Sequence, residues 1–128
     1  MHYKLARVGA KWWIEQMKKR CIDTCPTKIK TSNFGNNIDI IDVPLSEKFS
    51  RFEKMLADEI QTQLTLYHYI DFGCYYSPSK LLMKIAETTG ISSDFFPIPA
   101  HIEITNNTIF VSADNQDSHE LNISAYQL

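Results

Sequence analysis

The close pair Cys21-x3-Cys25 is the first arrangement in this chain that could do chemistry, because zinc sites are commonly built on such spacings. A zinc site needs four ligands. Only Cys74 remains as a third thiol, with His2, His68, His101 and His119 to complete a set. No His–His or Cys–His pair has ligand spacing, so neither a metal nor a cofactor is expected and the two thiols read as free. Cys74 with His68 or His101 could form a nucleophile and its base. Cys74, however, shares an alternating face with Ile70 and Phe72, the setting of an inert buried thiol. His68 and Asp71 are three apart, which on a strand sends them to opposite faces. His101 and Glu103 share a strand face and could approach Asp71. There is no Gly-rich phosphate loop, Gly-x-Ser-x-Gly elbow or His-Glu-x-x-His. Catalysis, as a small enzyme using Cys74, His68 or His101, is therefore the third reading, and the leading expectation is a non-catalytic protein.

Two groups of residues point to binding. Tyr67, Tyr69, Tyr75 and Tyr76 cluster along one stretch, and tyrosine supplies interface area with a polar tip at little entropic cost. If a sheet face were left uncovered, Tyr67, Tyr69 and Tyr75 would form an aromatic stripe around Asp71; buried, the same rings would be core. The second group is charge. Of thirteen Lys and Arg, eight lie in the first thirty residues: Lys4, Arg7, Lys11, Lys18, Lys19, Arg20, Lys28 and Lys30. Against two acids there, the opening segment carries +6, whereas the remaining 98 residues carry −8, which together make the net −2. Lys11, Lys18, Lys19 and Arg20, followed by Lys28 and Lys30, could contact phosphates, with Trp12 or Trp13 nearby. They could equally complement the helix dipole or face the acidic remainder. A pI near 6.0 weighs against a dedicated nucleic-acid binder.

The elements that would position these groups follow from periodicity. Tyr3 to Cys21 reads as a helix with Leu5, Val8, Trp12 and Met17 on its buried stripe. Asp23 to Asn37, with Pro26 and Gly35, reads as a loop, and Ile38 to Val43 as a short strand ended by Pro44. Ser46 is expected to cap a second helix to about Leu64, buried through Phe49, Phe52, Leu56, Ile60 and Leu64. Leu66 to Tyr76 changes to a two-residue period, with apolar or aromatic groups on both faces, and is predicted to be a central strand. Ser77, Pro78 and Gly90 mark N-cap, first position and C-cap of a third helix. His101–Thr105 and Thr108–Ala113 are predicted strands joined by a type I′ turn at Asn106-Asn107. Asp114 to Glu120 reads as an acidic loop and Leu121 to Ile123 as an edge strand. The expected fold is α+β, a mostly antiparallel sheet of three or four strands packed against three helices in one domain over residues 1–128.

No apolar run reaches the roughly 20 residues of a membrane span, so no membrane partner is expected. The opening residues lack the apolar stretch of an export signal, and three cysteines make no disulfide framework. The cytoplasm is the expected location.

The run Tyr69-Ile70-Asp71-Phe72-Gly73-Cys74-Tyr75-Tyr76-Ser77-Pro78, leading into a helix ended by Thr89-Gly90-Ile91, and the later Phe95-Phe96-Pro97-Ile98-Pro99 before a hairpin form one pattern. It resembles small proteins of unassigned function from phages and conjugative elements of Gram-positive bacteria. The likeness covers roughly the last half of the chain and carries no catalytic residues over. It implies a mobile-element accessory protein, a class in which many members occlude a host enzyme, CRISPR nucleases included. The resulting expectation is a protein-binding inhibitor with Lys11, Lys18, Lys19, Arg20, Tyr67, Tyr69 and Tyr75 at its contact surfaces.

Overall fold

A computed structural model describes residues 2–24, 44–113 and 117–126 of the chain. Of the expected loop Asp23 to Asn37, Asp23 and Thr24 belong instead to the first helix, and the rest, with the strand at Ile38–Val43, Lys28, Lys30 and the Cys21/Cys25 side chains, lies outside the described residues. So does part of the acidic loop, at 114–116.

The fold is α+β. Among the described residues three helices, α1 (His2–Thr24), α2 (Leu45–Tyr67) and α3 (Lys80–Thr89), accompany strands β1 (Tyr69–Cys74), β2 (Ala100–Thr105), β3 (Ile109–Ala113) and β4 (His119–Glu120). The strands form one antiparallel sheet in the order β1-β2-β3-β4. Burial alternates along β1, β2 and β3, with Ile70, Phe72, Cys74, Ile102, Ile104, Ile109 and Val111 turned to the core. The helices cover that face. The other face is open, as a sheet of alternating pattern allows.

The α1 helix is the centre of the core rather than a one-sided surface helix. Beyond the predicted stripe it buries Ala6, Gly9, Ala10, Trp13, Ile14 and Gln16. Gly9 explains how one helix can face two neighbours. A Cβ there would stand 2.7 Å from the Ile104 Cδ1 of β2 and 3.6 Å from the Ile60 Cδ1 of α2, so the missing side chain lets α1 lie close to both. Trp13 then anchors an aromatic cluster. Its ring meets Phe72 edge-on at 5.5 Å and Phe96 at 6.4 Å, and Phe96 in turn meets Phe52 at 5.9 Å.

Several predicted boundaries move, each for a visible reason. The α2 helix begins at Leu45 after Pro44, whose carbonyl accepts from Glu47 and Lys48, so Ser46 lies inside the helix and does not cap it. The predicted stripe of α2 is buried as expected. The helix continues through Leu66 and Tyr67 and stops at His68, which takes the left-handed conformation (φ 61) and donates its backbone N–H to Leu64. Leu66, Tyr67 and His68 therefore do not belong to the strand, and β1 is an edge strand rather than a central one. The α3 helix starts two residues later than predicted, with Ser79 at its N-cap position. The Ser79 hydroxyl makes no cap. It accepts from the Gly73 N–H at 3.1 Å and donates to the Gly73 carbonyl at 3.0 Å, tying the helix start to β1. Gly90 ends α3 as predicted, at φ 78.

The hairpin turns at Asn106-Asn107 as expected, but not as type I′, since His68 is the one non-glycine residue with positive φ among those described. The Thr105 and Thr108 hydroxyls, 2.6 Å apart, clasp the turn, and His2 Nε2 lies 2.9 Å from the Asn106 side-chain oxygen. The final strand is His119–Glu120 instead of Leu121–Ile123, and Ile123–Ala125 forms a 3-10 turn.

The Gly9 contact sets a test. Gly9→Ala gains about 1 kcal/mol of helix propensity but overpacks by roughly 1–3 kcal/mol, for a net loss of about 1 kcal/mol. Ile104→Val removes the clashing methyl. Its own cost, about 1 kcal/mol in the parent, is expected to fall by at least half in the Gly9→Ala background, as measured by denaturant unfolding.

Candidate interaction face

Strand register builds the site. Asp71 stands opposite Glu103, Glu103 opposite Phe110, and Phe110 opposite Glu120, so these four form a row across all four strands on the open face. Gly73, His101 and Ser112 form the neighbouring row, and Tyr69 and Thr105 a third. Tyr69, Tyr75 and Phe110 are 41%, 56% and 37% exposed. None of the four strands contains Lys or Arg.

The acidic groups are held in place by their neighbours. The Tyr69 hydroxyl donates to Glu103 Oε2 at 3.0 Å, and His101 Nε2 lies 3.4 Å from Asp71 Oδ2. Local desolvation, the hydrogen bond to Glu103 and the nearby charge of Asp71 push the Tyr69 hydroxyl up to about 12. His101 also stacks on Tyr75, with ring centroids 5.7 Å apart and planes within 22°. Gly73 makes room for this. A Cβ there would collide with the Ala100 carbonyl oxygen and stand 2.8 Å from His101 Cα. The result is a shallow depression between Asp71, Gly73, Tyr75, Ser79 and His101.

Of the expected tyrosine stripe, Tyr69 and Tyr75 lie at this face, whereas Tyr67 sits on the last turn of α2, 65% exposed. The approach of His101, Glu103 and Asp71 read from spacing is present. The other catalytic pairings are not assembled. Cys74 points into the core, and His101 stands on the opposite side of the sheet. His68, at the far end of β1, is about 20 Å along the strand from Cys74. Burial pushes the Cys74 thiol up to about 11, opposed only in part by a hydrogen bond from the Ser79 backbone. Among the described residues no group of three His, Cys, Asp or Glu is placed to hold a metal ion, and no helix is long and apolar enough to cross a membrane.

The basic residues of α1 divide. At roughly 100° per residue, Lys4, Arg7, Lys11, Glu15 and Lys18 share one strip, on the side of the helix away from Gly9 and hence away from the sheet. None of those four cations is ion-paired with a described carboxylate. Arg7 Nη1 donates to the Tyr3 hydroxyl at 2.9 Å, and the Lys18 ammonium lies 6.0 Å from the Phe49 ring centroid. Lys19 and Arg20 leave the strip. Lys19 reaches the Gln16 side-chain oxygen, and Arg20 Nε donates to the Asp94 carbonyl at 2.8 Å, fastening α1 to the segment after α3. Trp12 and Trp13 are buried.

Sequence reasoning missed Phe110 and Glu120 on the face and Lys4 and Arg7 on the strip. The alternation Ile109, Val111, Ala113 already places Phe110 outward. The lysine strip needs the orientation of α1, which its all-round apolar composition conceals.

Compared with known proteins, the chain matches no family model, no curated protein and no solved structure.

Two titrations test this geometry. By carbon NMR the Tyr69 phenol is expected to ionise near 12, and Glu103→Gln should bring it down toward the ordinary value of about 10. Cys74 is expected to resist alkylation at about pH 8 until the protein unfolds, read by peptide mass spectrometry; rapid native labelling would refute its buried role.

Proposed function

We propose that this is a non-catalytic binding protein that engages another protein through the open face of its sheet. The observation that carries the reading is the face itself: exposed Tyr69, Tyr75 and Phe110 beside Asp71, Glu103 and Glu120, with no Lys or Arg in any of the four strands. Aromatic side chains supply most of the energy of protein interfaces, and carboxylates among them select a partner presenting cations. The same carboxylates repel phosphate, so nucleic acid does not suit this face. The resemblance of the last half of the chain to phage and conjugative-element proteins supports a more specific reading. In it, the protein is a mobile-element inhibitor working in the cytoplasm, occluding a host enzyme such as a CRISPR nuclease.

A second reading, nucleic-acid binding, draws on the α1 strip of Lys4, Arg7, Lys11 and Lys18. Capture from bacterial lysate, with and without nuclease, separates the two. The protein reading expects a stoichiometric partner that survives nuclease treatment and falls at least about tenfold with Tyr69→Ala/Phe110→Ala, a loss typical of central interface residues. Capture that disappears with nuclease, falls steeply with salt and depends on Lys4, Lys11 and Lys18 would replace it with the second reading.

A further inference from the structure

We propose that the acidic face of the sheet receives the basic α1 strip of a second copy of this chain, in a weak, salt-labile, head-to-tail association. This inference concerns the chain alone and does not rest on the partner reading above.

Both halves of the contact are present in one molecule, on opposite sides. The face carries Asp71, Glu103 and Glu120 and, beyond the His101 that lies against Asp71, no Lys or Arg. The strip carries Lys4, Arg7, Lys11 and Lys18 and one acid, Glu15, whose carboxylate already accepts from the Tyr126 hydroxyl at 3.2 Å. Opposite charges on opposite sides cannot neutralise each other within one molecule, but they can do so between molecules.

Spacing matches as well as sign. Strands about 4.8 Å apart place Asp71, Glu103, Phe110 and Glu120 at roughly 0, 5, 10 and 14 Å across the sheet. A helix rising 1.5 Å per residue places Lys11, Arg7 and Lys4 at roughly 0, 6 and 10 Å along its axis. Laid across the strands in that direction, α1 sets Lys11 against Asp71, Arg7 against Glu103 and Lys4 over the Phe110 ring, where a cation is favoured. Glu15 and Lys18 then fall past the β1 edge, off the sheet. The acids need little reorganisation, because Tyr69 and His101 already hold Glu103 and Asp71.

Size sets the strength. Four strands by about five residues make a face of roughly 250 Å², far below the ~800 Å² per partner of a stable interface. The association is therefore transient and governed by charge. Because the two surfaces differ, it forms open chains rather than a closed dimer.

The test is sedimentation of the full chain at high concentration, in about 0.01 M and about 1 M salt, between which the Debye length falls from about 30 to 3 Å. The average mass is expected to rise with concentration at low salt, with the association constant at least about tenfold lower at high salt. A face-reversed variant (Asp71→Lys, Glu103→Lys, Glu120→Lys) and a strip-reversed variant (Lys4→Glu, Arg7→Glu, Lys11→Glu) should each be monomeric alone. Mixed, they should associate again, because each now presents what the other requires; a misfolded variant could not do this. A parent chain that stays monomeric at low salt overturns the proposal. So does association that survives either reversal, or a mixture that remains monomeric.

Discussion

The approach of α1 to its neighbours at Gly9 is the constraint on which the rest of the structure depends. With no side chain at that position, the helix lies close to β2 on one side and to α2 on another. Both contacts are needed at once. The sheet has one apolar face, formed by Ile102, Ile104, Ile109 and Val111, and α1 is the element that fills its middle. The α2 helix has one apolar stripe, and α1, β1, α3 and the segment after α3 bury it. Trp13, on the helical turn after Gly9, can then reach Phe72 on the sheet and Phe96 beyond α3, so one ring joins three parts of the chain. Its indole N–H has no acceptor among the described residues, a cost of about 1–3 kcal/mol accepted for the packing it makes.

How much of this was legible in the sequence depends on whether a signal was local. The stripe of α2, the Gly90 stop of α3 and the alternation of β2 and β3 are set by neighbours a few residues away, and spacing reveals them. The boundaries that moved were set at a distance. Ser77-Pro78 has every local mark of a helix start, yet Ser79 takes the cap position because its hydroxyl is bound to Gly73. Leu66 and His68 alternate with Ile70 as a strand would, yet a left-handed turn at His68 leaves Leu66 in the helix and makes His68 its cap. The site shows the same division. The alternation could place Tyr69, Asp71, His101 and Glu103 on one face, but only strand order could show that the face is open and that Phe110 and Glu120 extend it.

Part of the chain's charge is segregated in space: Lys4, Arg7, Lys11 and Lys18 share the α1 strip, and Asp71, Glu103 and Glu120 share the open face of the sheet, on the other side of the protein. Because α1 is buried nearly all round, its cations have only one narrow strip to occupy, and the apolar pattern that places the helix also aligns its charge. The sheet reaches the opposite result by simple alternation: inward positions are apolar, and outward ones, Gly73 apart, are polar, acidic or aromatic. Neither surface required a motif. Both follow from which residues the core could not use.

The Ser79 clasp on β1 has one more consequence. An exposed strand edge ordinarily invites foreign backbone to extend the sheet, and backbone recruits without regard to sequence. Here one end of that edge is occupied by the chain's own Ser79, whose backbone N–H and hydroxyl both hold Gly73, while the opposite edge is a strand of two residues. A visitor that settles on the flat of the sheet instead is judged by its side chains. Outward positions of β1, β2 and β3 other than Gly73 touch nothing in the core, so their identities can drift while the scaffold stays fixed. Such a surface can follow a changing target through single substitutions.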